Sequence, residues 1–140
     1  MNNAGGIGAE GWEQRDKPNE DDWDLIFEVN VKRIARVTDA IVPNMKQNRY
    51  GKIINIASIA ARQGGPGNPP YNVSKTGVIS LTQSLALELA LALALAPHNI
   101  SVDAICPGLV WTSMFERIIK RSAVIPDPEG KSDKELFMDR

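Results

Sequence analysis

The stretch that decides the fold is Lys52-Ile53-Ile54-Asn55-Ile56-Ala57, a short run of mostly apolar and β-branched residues. It follows a helix-breaking sequence, Arg49-Tyr50-Gly51. Short apolar runs of this kind are typical of strands in a parallel sheet that is buried on both faces. A second such run extends from Ile100 to Ile105 and is closed by Pro107-Gly108. The two runs predict parallel strands.

Helical patterns surround these strands. Apolar residues recur at i, i+3, i+4 and i+7 from Val31 to Met45, and Pro43 within this pattern is expected to bend the last turns. Alternation of helix and strand favours a parallel α/β sheet with right-handed crossovers. Asn2 to Pro18 is rich in glycine and polar residues and is expected to be a loop. One predicted helix begins at Trp23, with Asp21 or Asp22 as its cap. Further helices are predicted over residues 31–47, 71–96 and 113–121.

Composition excludes several classes of function. Sixteen basic and 17 acidic residues are interspersed and give a net charge of -1, so neither nucleic acid nor an anionic membrane is indicated as a partner. A single cysteine, Cys106, and a single histidine, His98, exclude an internal disulfide and a His/Cys zinc site, and no metal is predicted. Cys106 is interpreted as a small buried hydrophobe, with a reactive thiol as the alternative.

The chain shows no targeting or membrane signal. The start of the sequence has neither a basic nor an apolar region of the kind found in signal peptides. The longest apolar stretch, Leu89 to Ala96, is far shorter than the roughly 20 residues that a membrane-spanning helix needs. We therefore expect a cytoplasmic protein.

Three residues around the first strand suggest chemistry. Ser58 follows the carboxyl end of that strand, where ligands bind in open α/β sheets. Tyr71 and Lys75 are four residues apart, which places both on one face of a helix. A nearby ammonium lowers a phenol pKa from about 10 and makes proton exchange with an alcohol or ketone feasible. The alternative for the pair alone is a tyrosine that packs beside a surface lysine.

Together, the motifs resemble the short-chain dehydrogenase/reductase family. The resemblance covers essentially the whole chain, and the motifs occur in the order and at the spacings typical of that family. It implies a doubly wound, three-layer Rossmann-like fold, of which residues 1–140 would form one partial domain. The motifs are Asn2-Asn3-Ala4-Gly5, Asn30, Ser58, Tyr71-Asn72-Val73-Ser74-Lys75 and Pro107-Gly108.

The resemblance also implies roles for four catalytic residues. Tyr71 would be the general acid and base, and Ser58 would orient the substrate carbonyl. Lys75 would lower the tyrosine pKa and bind the nicotinamide ribose. Asn30 would hold a water that links Lys75 to solvent. The implied reaction is reversible hydride transfer between NAD or NADP and a small secondary alcohol or ketone.

Cofactor and substrate contacts are implied by the same resemblance. Trp111, Met114 and Phe115 lie where the variable substrate lid of the family begins, although packing on a surface helix is an equal alternative for them. Residues 123–140 would be a mobile part of that lid. The implied cofactor contacts are Asn3, Ala4, Gly5, Tyr71, Lys75, Pro107, Gly108, Val110 and Thr112.

The sequence departs from the family pattern in three places. The glycine-rich phosphate loop and the last strand are expected outside these residues, so the domain is predicted to be truncated at both ends. Gly5-Gly6-Ile7-Gly8 is rejected as a substitute loop because no complete strand precedes it and no helix pattern follows. About six Leu/Ala residues look inserted at 89–96, and in a continuous helix they would add about 9 Å and about 240° of rotation.

Three hypotheses follow. The first is an NAD(P)-dependent oxidoreductase that uses the residues named above. The second is a catalytically inactive fragment that acts at most as an oligomerisation module through helices 31–47 and 71–96. We favour the first hypothesis for membership of the family and the second for the activity of this polypeptide by itself. The third is an interaction module without enzymatic ancestry, which leaves the spacing of Ser58, Tyr71 and Lys75 to coincidence. A homo-oligomer formed through the two helices is expected in either of the first two cases.

Overall fold

The structure of the protein is a computed structural model that describes residues 1–65, 67–91, 98–121, 132 and 135. The side chains of residues 90, 91, 120 and 121 are outside the description. Most of the Leu/Ala insertion at 89–96 and nearly all of the predicted lid segment at 123–140 therefore lie outside the described residues.

In the part of the chain that the structure describes, two parallel strands form the sheet. Strand β1, Gly51–Ile56, pairs with strand β2, Ile100–Ile105, from Gly51 opposite Ile100 to Ile56 opposite Ile105. Alternate residues of a strand direct their backbone groups to opposite edges. Asn2 uses the edge of β1 that faces away from β2, since its N–H donates to the Ile54 oxygen at 2.8 Å and its oxygen accepts from Ile56 at 3.1 Å. Both predicted strands are confirmed.

The two longest helices pack against one face of this sheet. Ile53 and Val102 of the strands form an apolar cluster with residues of helix α2, Arg33–Asn48, and helix α3, Pro69–Leu91, including Leu89. On the opposite face of the sheet, Lys52, Asp103 and Ile105 are exposed, and the other side chains, Ile54, Ile56 and Ser101, are half-buried. The helices are α1, Glu20–Phe27; α2, Arg33–Asn48; α3, Pro69–Leu91; and α4, Ser113–Arg121.

The first helix begins earlier than the sequence predicted. It starts at Glu20 instead of Trp23, and its cap is Asn19 instead of Asp21 or Asp22. The Asn19 side chain accepts from the Asp22 N–H at 3.0 Å, and the Asp22 carboxylate accepts from the Asn19 N–H at 3.0 Å. This reciprocal capping box satisfies two backbone donors, so the carboxylate belongs inside the first turn.

The second predicted helix is the end of a longer one. A π-helical turn, Glu28–Lys32, joins α1 to α2 without a break, so helical backbone runs from Glu20 to Asn48 and continues through Pro43. The prediction that Tyr71 opens a helix was two residues late, because α3 begins at Pro69. Proline is favourable in a first turn, where the missing N–H needs no partner. The described part of α3 reaches Leu91.

Candidate active site

A cleft of about 1010 Å³ opens at the carboxyl ends of the two strands. This is the position at which ligands bind in open parallel sheets. Its lining includes three residues singled out in the sequence, Ser58, Tyr71 and Lys75. The walls come from the segment after Asn2, the first turn of α3, the Pro107-Gly108 segment and α4.

Ser58 is fixed by the end of β1. Its backbone is extended, and its Oγ accepts from the Ala60 N–H at 3.1 Å, which caps the 3-10 turn Ile59–Ala61. The Ile59 N–H donates to the Pro107 oxygen at 2.8 Å. The same turn thus holds the serine hydroxyl at the cleft and ties it to the segment after β2.

Tyr71 and Lys75 lie one turn apart on α3, as their spacing predicted. The Lys75 Nζ is 5.8 Å from the centre of the Tyr71 ring. It donates to the Ile56 oxygen at 2.8 Å, and the lysine is only 5% exposed. The ammonium group is therefore held between the tyrosine and the last residue of β1.

Burial sets the protonation of this pair. Burial raises the pKa of Tyr71, and a hydrogen bond with Ser58 opposes that shift in part. Burial also lowers the pKa of Lys75. Both directions favour the neutral form, since desolvation penalises the charged state of either group. The resemblance implied a lowered tyrosine pKa, whereas in this structure the desolvation of the phenol outweighs the opposing influence.

Asn30 lies behind the cleft and is fully buried in the π-helical turn. Its Oδ1 accepts from the Gly6 N–H at 2.8 Å, and its Nδ2 donates to the Gly6 oxygen at 3.0 Å and to the Ser74 Oγ at 3.0 Å. Ser74 in turn donates to the Tyr71 oxygen at 2.8 Å. Asn30 thereby joins the glycine segment to α3. The predicted water between Asn30 and Lys75 stays a prediction.

The glycine segment is used for packing against this network. The N–H and the oxygen of Gly6 both form hydrogen bonds with the Asn30 side chain, so the N–H is not directed at a phosphate. A Cβ on Gly5 would lie 3.7 Å from both the Asn30 Oδ1 and the Lys75 Nζ, which places Gly5 directly beside the lysine. These contacts support rejecting Gly5-Gly6-Ile7-Gly8 as a phosphate loop.

The other predicted contacts divide between the cleft and its surroundings. The cleft lining includes Asn3, Gly5, Pro107, Gly108, Val110, Thr112, Met114 and Phe115. Ala4 and Trp111 are outside this lining, and the Trp111 indole N–H donates to Glu116 at 3.0 Å. Packing on a surface helix, the alternative considered for Trp111, fits this contact.

Several lining residues were missed in the sequence. The segment Trp12–Asp16 forms one wall, and Asn68 and Asn72 lie beside Tyr71. Glu13 forms an ion pair with Arg117 of α4, whose guanidinium lies 5.8 Å from the centre of the Trp12 ring. No periodic pattern marks Trp12–Asp16. Asn68, however, precedes two prolines and a helix, which is a recognisable capping signal.

The residues present fit the nicotinamide end of a dinucleotide. The Lys75 ammonium is a buried donor at the cleft, and Gly5 leaves the space beside it free of a side chain. Ile56, Pro107 and Val110 give an apolar lining suited to a flat ring. Within the described residues, no group of three or more His, Cys, Asp or Glu side chains is placed to hold a metal ion. Among these residues there is also no helix long and apolar enough to cross a membrane.

Comparison with known proteins shows the family to which the chain belongs. The family model described as short chain dehydrogenase matches residues 1–123. The human protein "Dehydrogenase/reductase SDR family member 4" is 44% identical over 100 residues, which cover 71% of this chain and 34% of the relative. The "3-oxoacyl-[acyl-carrier-protein] reductase FabG" of Thermotoga maritima is 39% identical over 103 residues, 74% of this chain and 39% of the relative.

Solved structures give the same result. The structure titled "NAD+-Bound Xylitol Dehydrogenase" has a TM-score of 0.74 and 32% identity, and the match covers 98% of this chain and 52% of that one. A gluconate 5-dehydrogenase from Burkholderia cenocepacia in complex with NADP and tartrate has a TM-score of 0.69 and 26% identity over 84% of this chain and 43% of that one. The chain spans about a third to a half of the length of these proteins. With its Rossmann-type α/β fold and its match over residues 1–123, the chain belongs to the short-chain dehydrogenase family.

Proposed function

We propose that this chain carries the catalytic portion of an NAD(P)-dependent oxidoreductase that interconverts a secondary alcohol and a ketone. The observation that carries the proposal is the convergence of Ser58, Tyr71 and Lys75 on one cleft at the strand ends. The similar proteins are named as dehydrogenases or reductases, and two solved relatives contain NAD or NADP.

Ser58 and Tyr71 would handle the substrate oxygen. The Ser58 hydroxyl is fixed at the end of β1, where it can donate to a carbonyl oxygen and favour charge development on it. During reduction the Tyr71 hydroxyl donates its proton to the nascent alkoxide, and during oxidation the phenolate accepts the alcohol proton. When bound, the nicotinamide supplies or accepts the hydride.

Lys75 would bind the ribose next to the nicotinamide and help to set the charge of Tyr71. Its Nζ keeps two donors beyond the one spent on the Ile56 oxygen, since an ammonium has three. Asn3 and Gly5 would approach the cofactor from one wall. Pro107, Gly108, Val110 and Thr112 would face the nicotinamide and its carboxamide from the other. Ala4 is outside the cleft lining and would support cofactor binding by holding its neighbours Asn3 and Gly5 in place.

The substrate end of the cleft lies against α4. Met114 and Phe115 belong to the lining, together with Ile118 one turn later. The Trp12 ring contacts this helix, because the Arg117 guanidinium lies 5.8 Å from the centre of the ring. We assign Met114 and Phe115 to substrate contact, with Trp111 as an outer neighbour, and residues 123–140 to the continuation of the lid. A cytoplasmic location and one domain over residues 1–140 belong to the same proposal.

The test is transfer of deuterium from NADH or NADPH labelled at the reactive carbon into a panel of small ketones. Mass spectrometry of the alcohol product detects even slow turnover. Binding of each cofactor is measured in parallel by the change in its fluorescence. Labelled alcohol supports the proposal. A chain that binds cofactor and gives no label with any ketone of the panel contradicts it.

A second candidate is an inactive fragment that associates through its long helices. Exposed apolar side chains on these helices favour association, namely Val37 on α2, 45% exposed, and Val73 on α3, 49% exposed. Association of this kind is compatible with activity, so the homo-oligomer is part of both candidates. Deuterium transfer separates the two.

A further inference from the structure

Asn68 joins two walls of the cleft through the two ends of one side-chain amide. Its Oδ1 accepts from the Tyr71 N–H at 3.2 Å, and its Nδ2 donates to the Ile7 oxygen at 2.7 Å. Its backbone oxygen also accepts from the Asn72 N–H at 3.2 Å. Asn68 therefore holds the backbone of the tyrosine on one side and the glycine segment on the other.

The two prolines that follow make this contact specific to Tyr71. Pro69 and Pro70 have no N–H, so the first N–H of α3 is that of Tyr71. Pro70 is fully buried, which fixes the turn from inside. The cap of the helix is thus formed directly on the backbone of the residue whose hydroxyl faces the cleft.

The other end of the amide reaches the surroundings of Lys75. Ile7 lies two residues after Gly5, and Gly5 is beside the Lys75 Nζ. The Asn68 side chain consequently holds the backbone of Tyr71 at a fixed distance from the segment that flanks Lys75. Asparagine suits both contacts, since its amide has an acceptor and a donor at opposite sides. Serine retains a capping oxygen but is too short to reach both partners, and aspartate has no donor for the Ile7 oxygen.

We propose that Asn68 is a positioning residue that holds the half-buried Tyr71 side chain in its orientation next to Ser58 at the cleft. This role rests on the proposed function only for its catalytic consequence. The positional part concerns the tyrosine itself. Loss of the tether is expected to expose more of the half-buried phenol to water, which removes part of the desolvation that raises its pKa.

The phenol can be observed without cofactor. The chain has two tyrosines, and Tyr50 is 58% exposed and outside the cleft lining. In a Tyr50→Phe background with 13Cζ-labelled tyrosine, NMR follows Tyr71 alone through an alkaline titration. Asn68→Ala and Asn68→Ser are expected to lower its pKa towards the ordinary value. Asn19→Ala is the matched control, because it removes the cap of α1 without a contact to Tyr71.

A pKa of Tyr71 that is unchanged in Asn68→Ser, while circular dichroism shows a folded chain, would overturn the proposal. Asn68→Ser keeps the helix cap, so it gives this answer even if Asn68→Ala does not fold. Where deuterium transfer is active, Asn68→Ser is expected to lower kcat by about 10- to 100-fold, with a smaller change in KM. A shifted phenol in a chain without activity supports the positional inference and contradicts the proposed function alone.

Discussion

Burial of Tyr71 favours the protonated phenol, whereas one direction of the proposed reaction needs the phenolate. Burial favours the neutral phenol and raises its pKa, which suits a group that donates a proton during ketone reduction. Alcohol oxidation needs the phenolate, which a buried site disfavours. Ser58 opposes the upward shift through its hydrogen bond, and Lys75, with its own pKa lowered by burial, lies on the same helix face. The balance at these three residues sets the pH range in which the phenolate needed for alcohol oxidation forms.

The two directions of the reaction should therefore depend on pH differently. A raised phenol pKa leaves Tyr71 protonated at pH 7 to 9, so kcat/KM for ketone reduction is expected to be nearly constant there. For alcohol oxidation, kcat/KM should rise by up to about tenfold per pH unit, as the phenolate fraction does. Steady-state rates at 340 nm in both directions measure this. An oxidation rate that is flat from pH 7 to 9 would mean that the phenolate already exists in the working site.

At the scale of elements, Asp22 connects α1 to the loop that forms one wall of the cleft. Its carboxylate accepts from the Ala9 N–H at 2.7 Å and from Arg15 at 2.8 Å, in addition to its place in the capping box. Burial raises the pKa of Asp22, but the hydrogen bonds from Arg15, Asn19 and Ala9 outweigh it and lower the pKa overall. The side chain is 3% exposed, so little solvent screens these contacts.

Asp22→Asn is expected to lower the free energy of unfolding by about 2–4 kcal/mol at pH 7, because a buried amide cannot accept all of these bonds and removes the negative charge that pairs with Arg15. A depressed folded pKa stabilises the protein above the unfolded value of about 3.8 and loses that effect as the pH falls through the folded pKa. The free energy of unfolding, measured in urea, should therefore fall less between pH 7 and pH 3 in the variant than in the wild type. Equal effects of Asp22→Asn and the exposed control Asp21→Asn would contradict this role.

Gly51 marks the close approach of α2 to β1. A Cβ there would lie 2.5 Å from the Met45 Sδ and 2.9 Å from its Cβ, so the whole side chain must move. Gly51→Ala is expected to lower the free energy of unfolding by about 1–3 kcal/mol through overpacking. Adding Met45→Ala removes the Sδ and Cγ contacts but leaves the Cβ contact, so it should remove part of that difference in a double-mutant cycle measured by urea unfolding. Gly64→Ala, with nothing within 4 Å, is the control, and the same small effect at both glycines would contradict the packing.

The two parallel strands were predictable because an apolar run and the glycine or proline residues that bound it are local signals. Ser58, Tyr71 and Lys75 were predictable because a strand end and an i, i+4 spacing fix their positions. The N-cap of α1 was assigned to the wrong residue because Asn19 and Asp22 form a reciprocal capping box. From sequence alone, either residue is an equally good N-cap candidate. The wall at Trp12–Asp16 could not be predicted, because long-range contacts such as Glu13 with Arg117 hold that segment.

At the scale of the whole molecule, the helices that support the cleft also expose apolar side chains on their outer faces. Val37 and Val73 are about half exposed on α2 and α3. A further copy of the chain could bury such side chains and gain roughly 25 cal/mol for each Å² of apolar surface removed from water. Oligomerisation is thus proposed to use the elements that hold Tyr71 and Lys75 in place.

Light scattering coupled to size-exclusion chromatography should find the wild-type chain as a dimer or larger assembly. Val37→Glu and Val73→Glu, which would each bury a charge at the interface, should shift the mass towards the monomer. Leu25→Glu is the matched control, since Leu25 is a 40% exposed apolar residue on α1, outside these helices. A wild-type monomer at all concentrations, or a shift caused only by the control, would contradict association through α2 and α3.

The central claim is that Tyr71 exchanges the proton of the substrate, and the rate of Tyr71→Phe tests it most directly. Phenylalanine keeps the ring and removes only the hydroxyl, so cofactor fluorescence titration should give nearly unchanged binding. The rate of cofactor-dependent turnover should fall by about 10²- to 10⁴-fold, as for the loss of a general acid or base. Tyr50→Phe makes the same change at an exposed site and should leave the rate unaltered. Turnover by Tyr71→Phe at the rate of Tyr50→Phe would contradict the account.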